Sequence, residues 1–142
     1  MLSQMLYIST AVGPVTTAVT GTILRSAQAH NLAHGITGVL CQGQGVYLQV
    51  LEGEPSQVDA LYARILLDKR HQNVVLRLRQ DIKSRRYGNW AMAHIDMSHF
   101  SHQGGADQAQ HRFDPYTATG EDVMAKLDAL IATGKVMSAP VV

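Results

Sequence analysis

Tyr7, Asn31 and Gln49 are of types that, brought together, make a neutral hydrogen-bonding cluster of one phenol and two carboxamides. A phenol both donates and accepts, and a carboxamide presents an acceptor at one end and two donors at the other. None of the three is a strong acid, a strong base or an activated nucleophile. Such a cluster suits recognition of a heteroaromatic edge better than cleavage of a bond. Tyr7 and Gln49 can lie side by side only if their strands are neighbours, and Asn31 can face them only if the first helix ends against the same sheet. On these residues alone a plainer reading stays open, in which Tyr7 and Gln49 satisfy each other inside a core.

The elements that must position these groups follow from hydrophobic spacing. Gln4 to Ser9 is a short apolar run ended by Gly13-Pro14, which predicts a first strand. Pro14 then opens a helix over Val15 to Asn31, with Val15, Ala18, Val19, Ile23, Ala27 and His30 near one face. Thr16, Thr17, Thr20, Thr22 and Gly21 each cost up to roughly 0.5 to 1 kcal/mol relative to Ala, so this helix is expected to be the softest in the unliganded fold. Ile36 to Cys41 and Val46 to Leu51 flank Gln42-Gly43-Gln44-Gly45, a β-hairpin pattern expected in the middle of the sheet. In its second strand Tyr47, Gln49 and Leu51 share one face, and Val46, Leu48 and Val50 the other. Apolar residues on both faces make Gln49 a largely buried amide, which without partners would cost on the order of 1 to 3 kcal/mol.

Glu54-Pro55 opens a second helix with Val58, Leu61, Tyr62, Ile65 and Leu66 in one stripe, closing at Asp68 to His71. Asn73 to Ile82 alternates Val75, Arg77 and Arg79 against Val74, Leu76 and Leu78, and a further strand is expected over Trp90 to Met97. The order β-α-β-β-α-β-β predicts an α+β, ferredoxin-like open sheet with two helices on one face, spanning residues 1–97. Residues 98–142 read as a loop, Ser98 to Gln110, followed by a short C-terminal helical extension, Asp122 to Thr133, with Gly134 as cap. Its stripe of Val123, Met124, Leu127, Leu130 and Ile131 is expected to cover the bare sheet face.

At 142 residues and 46% hydrophobic content the chain can bury its own core as a single domain. A formal net charge of +1 gives no general attraction to nucleic acid or anionic membrane. The single cysteine, Cys41, sits in an apolar strand and reads as an inert core thiol in a reducing interior. No basic leader precedes Arg25 and no apolar run approaches a membrane span, so a cytoplasmic, soluble protein is expected.

Tyr7-x-Ser9, the His30-Asn31 pair, Gly35-Ile36-Thr37-Gly38, Tyr47-x-Gln49-x-Leu51-Glu52-Gly53, Asp68-x-Arg70-His71, Arg85 and Trp90-x-Met92 occur in an order that resembles the BLUF domain, a family of blue-light sensors using flavin. The resemblance covers roughly residues 4–97. It implies FAD, or FMN, held between the two helices, with Tyr7 as electron donor and Gln49 bridging it to the flavin. It further implies Asn31 and His30 on the polar edge of the ring, and Ile23, Leu24 and Ile65 against its faces. Arg64, Asp68, Arg70 and His71 would lie toward the ring edge and ribityl phosphate, with Trp90 and Met92 transmitting the signal. Lys69, His30 and Tyr47 depart from the usual Pro, Asn and Phe, and Tyr47 adds a second phenol able to compete as donor.

With about 45 residues beyond position 97 and no catalytic output domain among them, the resemblance implies a sensor rather than an enzyme. Its partner would be a separate effector such as a cyclic-di-GMP phosphodiesterase, a response regulator or a transcription regulator, and a homo-oligomer, dimer or larger, is expected. The rival from another class is an RRM-like nucleic-acid module on the same fold, using Arg77, Arg79, Lys83, Arg85 and Arg86. Against it stand the near-zero charge and the missing paired strand aromatics. An acylphosphatase-type enzyme would need a phosphate-cradling loop that Gly13-Pro14 hardly supplies. His99, His102 and His111 offer metal-ligand types in a stretch without periodicity, where solvated histidines are the ordinary reading.

Overall fold

The structure is a computed structural model and describes residues 1–14, 16–43, 45–96, 119–132 and 136–138. Among them the elements follow as β1 (Leu2–Ala11), α1 (Thr17–His34), β2 (Thr37–Gly43), β3 (Val46–Gly53), α2 (Pro55–Leu66), β4 (His71–Ile82), β5 (Ala93–Asp96), α3 (Gly120–Ala132) and β6 (Val136–Ser138). One sheet takes the order β4-β1-β3-β2-β5-β6, so the β2–β3 hairpin lies inside it as expected. β1 pairs antiparallel with both β3 and β4, whereas β5 joins β2 in parallel. The ferredoxin-like order expected for these elements holds from β1 through β5. The strand β6 was not foreseen, because three residues carry too little alternation to be read.

Local chemistry sets the helix ends. α1 starts at Thr17 rather than at Pro14, because the Thr16 hydroxyl accepts from the Val19 N–H at 3.2 Å and caps the first turn. It runs three residues past Asn31 and stops at Gly35, whose φ of 66° lets its N–H return to the Asn31 carbonyl. Asn31 therefore projects from the last turn toward the sheet. Pro55 occupies the first turn of α2, and Val58 is fully buried beneath it. Leu66, expected in the same stripe, is 50% exposed: eight positions beyond Val58, it is rotated by about 80°.

The sheet separates two cores. On one face Met5, Tyr7, Leu40, Tyr47, Leu51 and Met92 pack with Leu24 of α1 and Val58 of α2. On the other, Leu6, Val39, Cys41, Leu48, Val50 and Ile95 pack with Val123, Met124, Leu127 and Leu130 of α3, so the C-terminal helix does cover the face the first two leave bare. Gly38 permits the close β2–β3 approach, since a Cβ there would lie 2.0 Å from the Val50 carbonyl oxygen.

Two expectations for the later strands are corrected. The strict alternation of β4 is broken twice: β1 residues Leu6 and Tyr7 pair with Leu78 and Leu76, leaving Arg77 extra, and a second shift falls beside Asn73, whose φ is 55°. Val74 and Leu78 consequently pack on opposite faces, and Val75 and Leu76 are partly exposed. The last expected strand begins at Ala93, not at Trp90. Trp90 and Met92 precede it, where the Trp90 carbonyl already accepts from the Gly38 N–H at 3.1 Å. The expected loop Ser98 to Gln110, the cap at Gly134 and the histidines at 99, 102 and 111 lie outside the described residues.

Leu127, 2% exposed in the α3-side core, should cost about 2 to 5 kcal/mol when replaced by Ala, measured by chemical denaturation. In unliganded protein, amides of α1 should exchange hydrogen faster than those of α2; equal protection of the two helices would contradict the weakness read from its threonines and Gly21.

Candidate functional site

The β1–β3 register places Tyr7 directly opposite Gln49, and Tyr7 is 4% and Gln49 5% exposed. The phenol donates to Gln49 Oε1. Burial, above all, pushes the Tyr7 hydroxyl far up from its ordinary value, so the phenol stays neutral. Its ring is held by Tyr62 of α2 at 5.8 Å between centroids and by His71 at 6.2 Å, edge-on. His71 in turn bonds the Ile65 carbonyl through Nε2 and Ser9 Oγ through Nδ1, both at 2.7 Å, so the Tyr7-x-Ser9 and His71 motifs meet.

The other end of the Gln49 amide is served less well. Its Nε2 donates to the Met92 thioether at 3.5 Å, a weak acceptor, which leaves amide donor capacity beside an open cleft. The cleft, about 150 Å³, lies between α1 and α2 over β1, β2 and β3 and is lined by Tyr7, Gln49, His30, Asn31, Ile23, Ile65, Arg64, Asp68, Arg70 and His71. These include every expected cofactor-site residue except Leu24. One position on from Ile23, Leu24 turns by about 100° into the core beneath and does not line the cleft.

Asn31 donates through Nδ2 to the Ala91 carbonyl at 2.7 Å, while its buried Oδ1 has no partner. The buried Nδ1 of His30 has none either. Orphaned buried polar atoms are rare in proteins, and two of them beside one cleft with apolar walls fit the hydrogen-bonding edge of a flat heteroaromatic ring such as a flavin. At the rim Arg70 grips Asp68 with two guanidinium nitrogens, Nε at 3.0 Å and Nη2 at 2.6 Å, and these bonds hold the Asp68 carboxyl below its usual range.

Sequence reasoning missed Ser26, Ala27, Leu40 and Leu61 in the lining, and Gln28, whose amide donates to the Met92 carbonyl at 3.1 Å. Gln28 precedes Asn31 by three positions and so shares its helix face, the signal by which it was findable. Trp90 and Met92, expected as transmitters, take opposite sides: Met92 is fully buried on the cleft side, and Trp90 stacks on Tyr87 at 6.0 Å on the α3 side. The arginines of the nucleic-acid alternative are largely engaged internally. Arg79 pairs with Asp59 and Arg86 with Asp128, and Arg85 donates to the carbonyls of Gly35 and Glu52. Among the described residues no group of three His, Cys, Asp or Glu could hold a metal ion, and no helix is long and apolar enough to cross a membrane.

His30 stacks on His34 at 4.1 Å, and burial, then His34, then Arg64 of α2 lower its proton affinity below the ordinary value of 6.5. The unfolded chain then takes a proton that folded His30 resists. This contribution to stability is present above about pH 6.5 and is lost as the pH falls through the lowered folded value. His30→Asn should flatten the pH dependence of the unfolding midpoint as the pH falls below about 6.5; an unchanged slope would place the titration elsewhere.

A family model described as BLUF, sensors of blue-light using FAD, matches residues 2–93. The photoactivated adenylate cyclase subunit alpha of Euglena gracilis is 39% identical over 88 residues, 62% of this chain but only 9% of that protein. The blue light- and temperature-regulated antirepressor BluF of Escherichia coli (strain K12) is 34% identical over 71 residues, covering 50% of this chain and 18% of its own length. The chain thus spans only a small part of these relatives. Among solved structures, the dark state of BlrB, a BLUF protein, superposes with a TM-score of 0.75 at 26% identity, covering 94% of this chain and 96% of that one. Klebsiella pneumoniae BlrP1 with FMN and cyclic diGMP gives 0.69 at 28% identity, covering 94% of this chain and 35% of that one. With the family model matched over more than half its length and with this fold, the chain belongs to the BLUF family of blue-light sensors that use FAD.

Proposed function

We propose that residues 1–97 register blue light through a flavin, FAD or alternatively FMN, seated in the cleft between α1 and α2, and that the switched variable is the hydrogen-bond sense of Gln49. The observation that carries this reading is the pair of buried, partnerless atoms, Asn31 Oδ1 and His30 Nδ1, beside the Tyr7–Gln49 bond. Bound flavin would supply an excited state that can take an electron from a nearby phenol and return it. Tyr7, its hydroxyl directed at Gln49, would be the donor of that electron and of a proton passed through Gln49, and would recover both when the excitation decays. The amide, rotated or tautomerised, then exchanges its donor and acceptor ends without leaving a permanent charge behind. Asn31 and His30 would hold the polar ring edge, Ile23 and Ile65 would flank the ring, and Arg64, Asp68, Arg70 and His71 would serve the ribityl side.

A single hydrogen bond is worth about 0.5 to 1.5 kcal/mol net, whereas moving a population from 1:99 to 99:1 takes about 5.5 kcal/mol. Repacking must amplify the change. Met92, touching Gln49, and Trp90, two positions back on the opposite face, are placed to carry it to α3. Residues 98–142 then act as cap and output segment toward a separate effector protein, a phosphodiesterase, response regulator or transcription regulator, in a cytoplasmic dimer or larger homo-oligomer. The buried Tyr7–Gln49 pair, neutral and without an activated nucleophile, supports a photosensory binding protein rather than a catalyst.

Flavin-loaded protein should be yellow and show a reversible red shift under blue light, and Tyr7→Phe and Gln49→Leu should each abolish it. Protein that stays colourless after flavin supplementation, or a photocycle that survives both changes, contradicts the reading. In pull-downs from lysate compared in darkness and blue light, Trp90→Ala should reduce the light dependence of partner capture severalfold; unaltered capture would remove Trp90 from the route.

A further inference from the structure

We propose that Glu52 is a positioning residue for the Tyr7–Gln49 switch, fixing the loop from Arg85 to Met92 so that the Met92 thioether is held against the Gln49 amide. The inference rests on the flavin-sensor reading of the cleft. Glu52 follows Gln49 by three positions on β3 and so points to the opposite face, where it is fully buried. A carboxylate accepts only, and this one has three donors. Gln4 Nε2 and the Arg86 N–H reach Oε2, both at 2.9 Å, and the Tyr87 N–H reaches Oε1 at 2.7 Å. Two consecutive backbone N–H groups converging on one anion define the path of the chain that carries them. Arg85 tightens the same point, donating to the Glu52 carbonyl at 2.8 Å and to Thr37 Oγ1 at 3.0 Å.

From this anchor the chain reaches Met92 in five further positions. The Trp90 N–H bonds the Tyr87 carbonyl at 3.2 Å, and the carbonyls of Trp90, Ala91 and Met92 accept from Gly38, Asn31 and Gln28. At the far end the contact between the Met92 sulfur and Gln49 Nε2 is the weakest of the series, and it is lost first if the near end moves. Glu52→Gln replaces one acceptor oxygen with an NH2 group that faces a donor. The loop must then withdraw from β3.

The test uses the full-length chain, with and without flavin, labelled at the methionine methyl groups and assigned with Met92→Leu. In wild-type protein the amides of Arg86 and Tyr87 should exchange as slowly as those of β3. In Glu52→Gln the Met92 methyl resonance should shift or broaden in unliganded protein, and dark recovery of the flavin-loaded form should accelerate at least threefold with the red shift retained. An unmoved Met92 resonance with recovery within twofold of wild type overturns the positioning role while leaving the sensor reading intact. Fast exchange at Arg86 and Tyr87 overturns it without any variant, and so decides the matter if Glu52→Gln does not fold. Wild-type protein that binds flavin without a photocycle overturns the sensor reading, and the role assigned to Glu52 with it.

Discussion

The interaction on which the rest depends is the buried hydrogen bond between Tyr7 and Gln49 across the β1–β3 pair. Both groups are neutral, and burial keeps the phenol so. A charge at either position would have demanded a fixed counter-charge, and a fixed counter-charge would have locked the geometry. The amide has one strong partner and one weak one, phenol and thioether, so reversing its sense loses little. On the far face of β3 lies the opposite case. There Glu52 can only accept, so Gln4 must turn its NH2 toward it and its oxygen toward Gln80, which donates at 2.8 Å. β3 thus carries, on one face, an amide with one weakly held end and, on the other, a carboxylate that fixes the sense of the Gln4 and Gln80 amides on β1 and β4.

Much of this was legible in the residues and some was not. Period-two reading assigned the faces of β3 correctly because it pairs along its whole length without a break. It failed on β4, where two extra residues slip the register and no side-chain type announces a bulge at Arg77. The cleft was foreseen from Tyr7, Asn31, Gln49 and the family's motif order. The split of Trp90 and Met92 between the two cores was not: alternation would have put them on one face, and the hydrogen bonds of their backbone to α1 and β2 decide otherwise.

Two kinds of force join α3 to the sensor. Arg86 pairs with Asp128, and the Tyr87 hydroxyl reaches the same carboxylate at 3.3 Å, but the ion pair is half-exposed and such pairs contribute about 0 to 1 kcal/mol. Burial of Val123, Met124, Leu127 and Leu130 is the larger effect by several-fold. The helix is therefore held by its apolar stripe, while Asp128 sets which turn of it meets the loop.

The double interruption of β4 bears on how copies of this chain can meet. β4 is an outer strand of the sheet, and an outer strand with a long regular row of free amides is a template for adding a strand from another molecule. Here the row is broken at Asn73 and again at Arg77, and each break increases the local twist. Edge-to-edge polymerisation along this border is disfavoured by the backbone itself, even though Val75 and Leu76 leave apolar surface there.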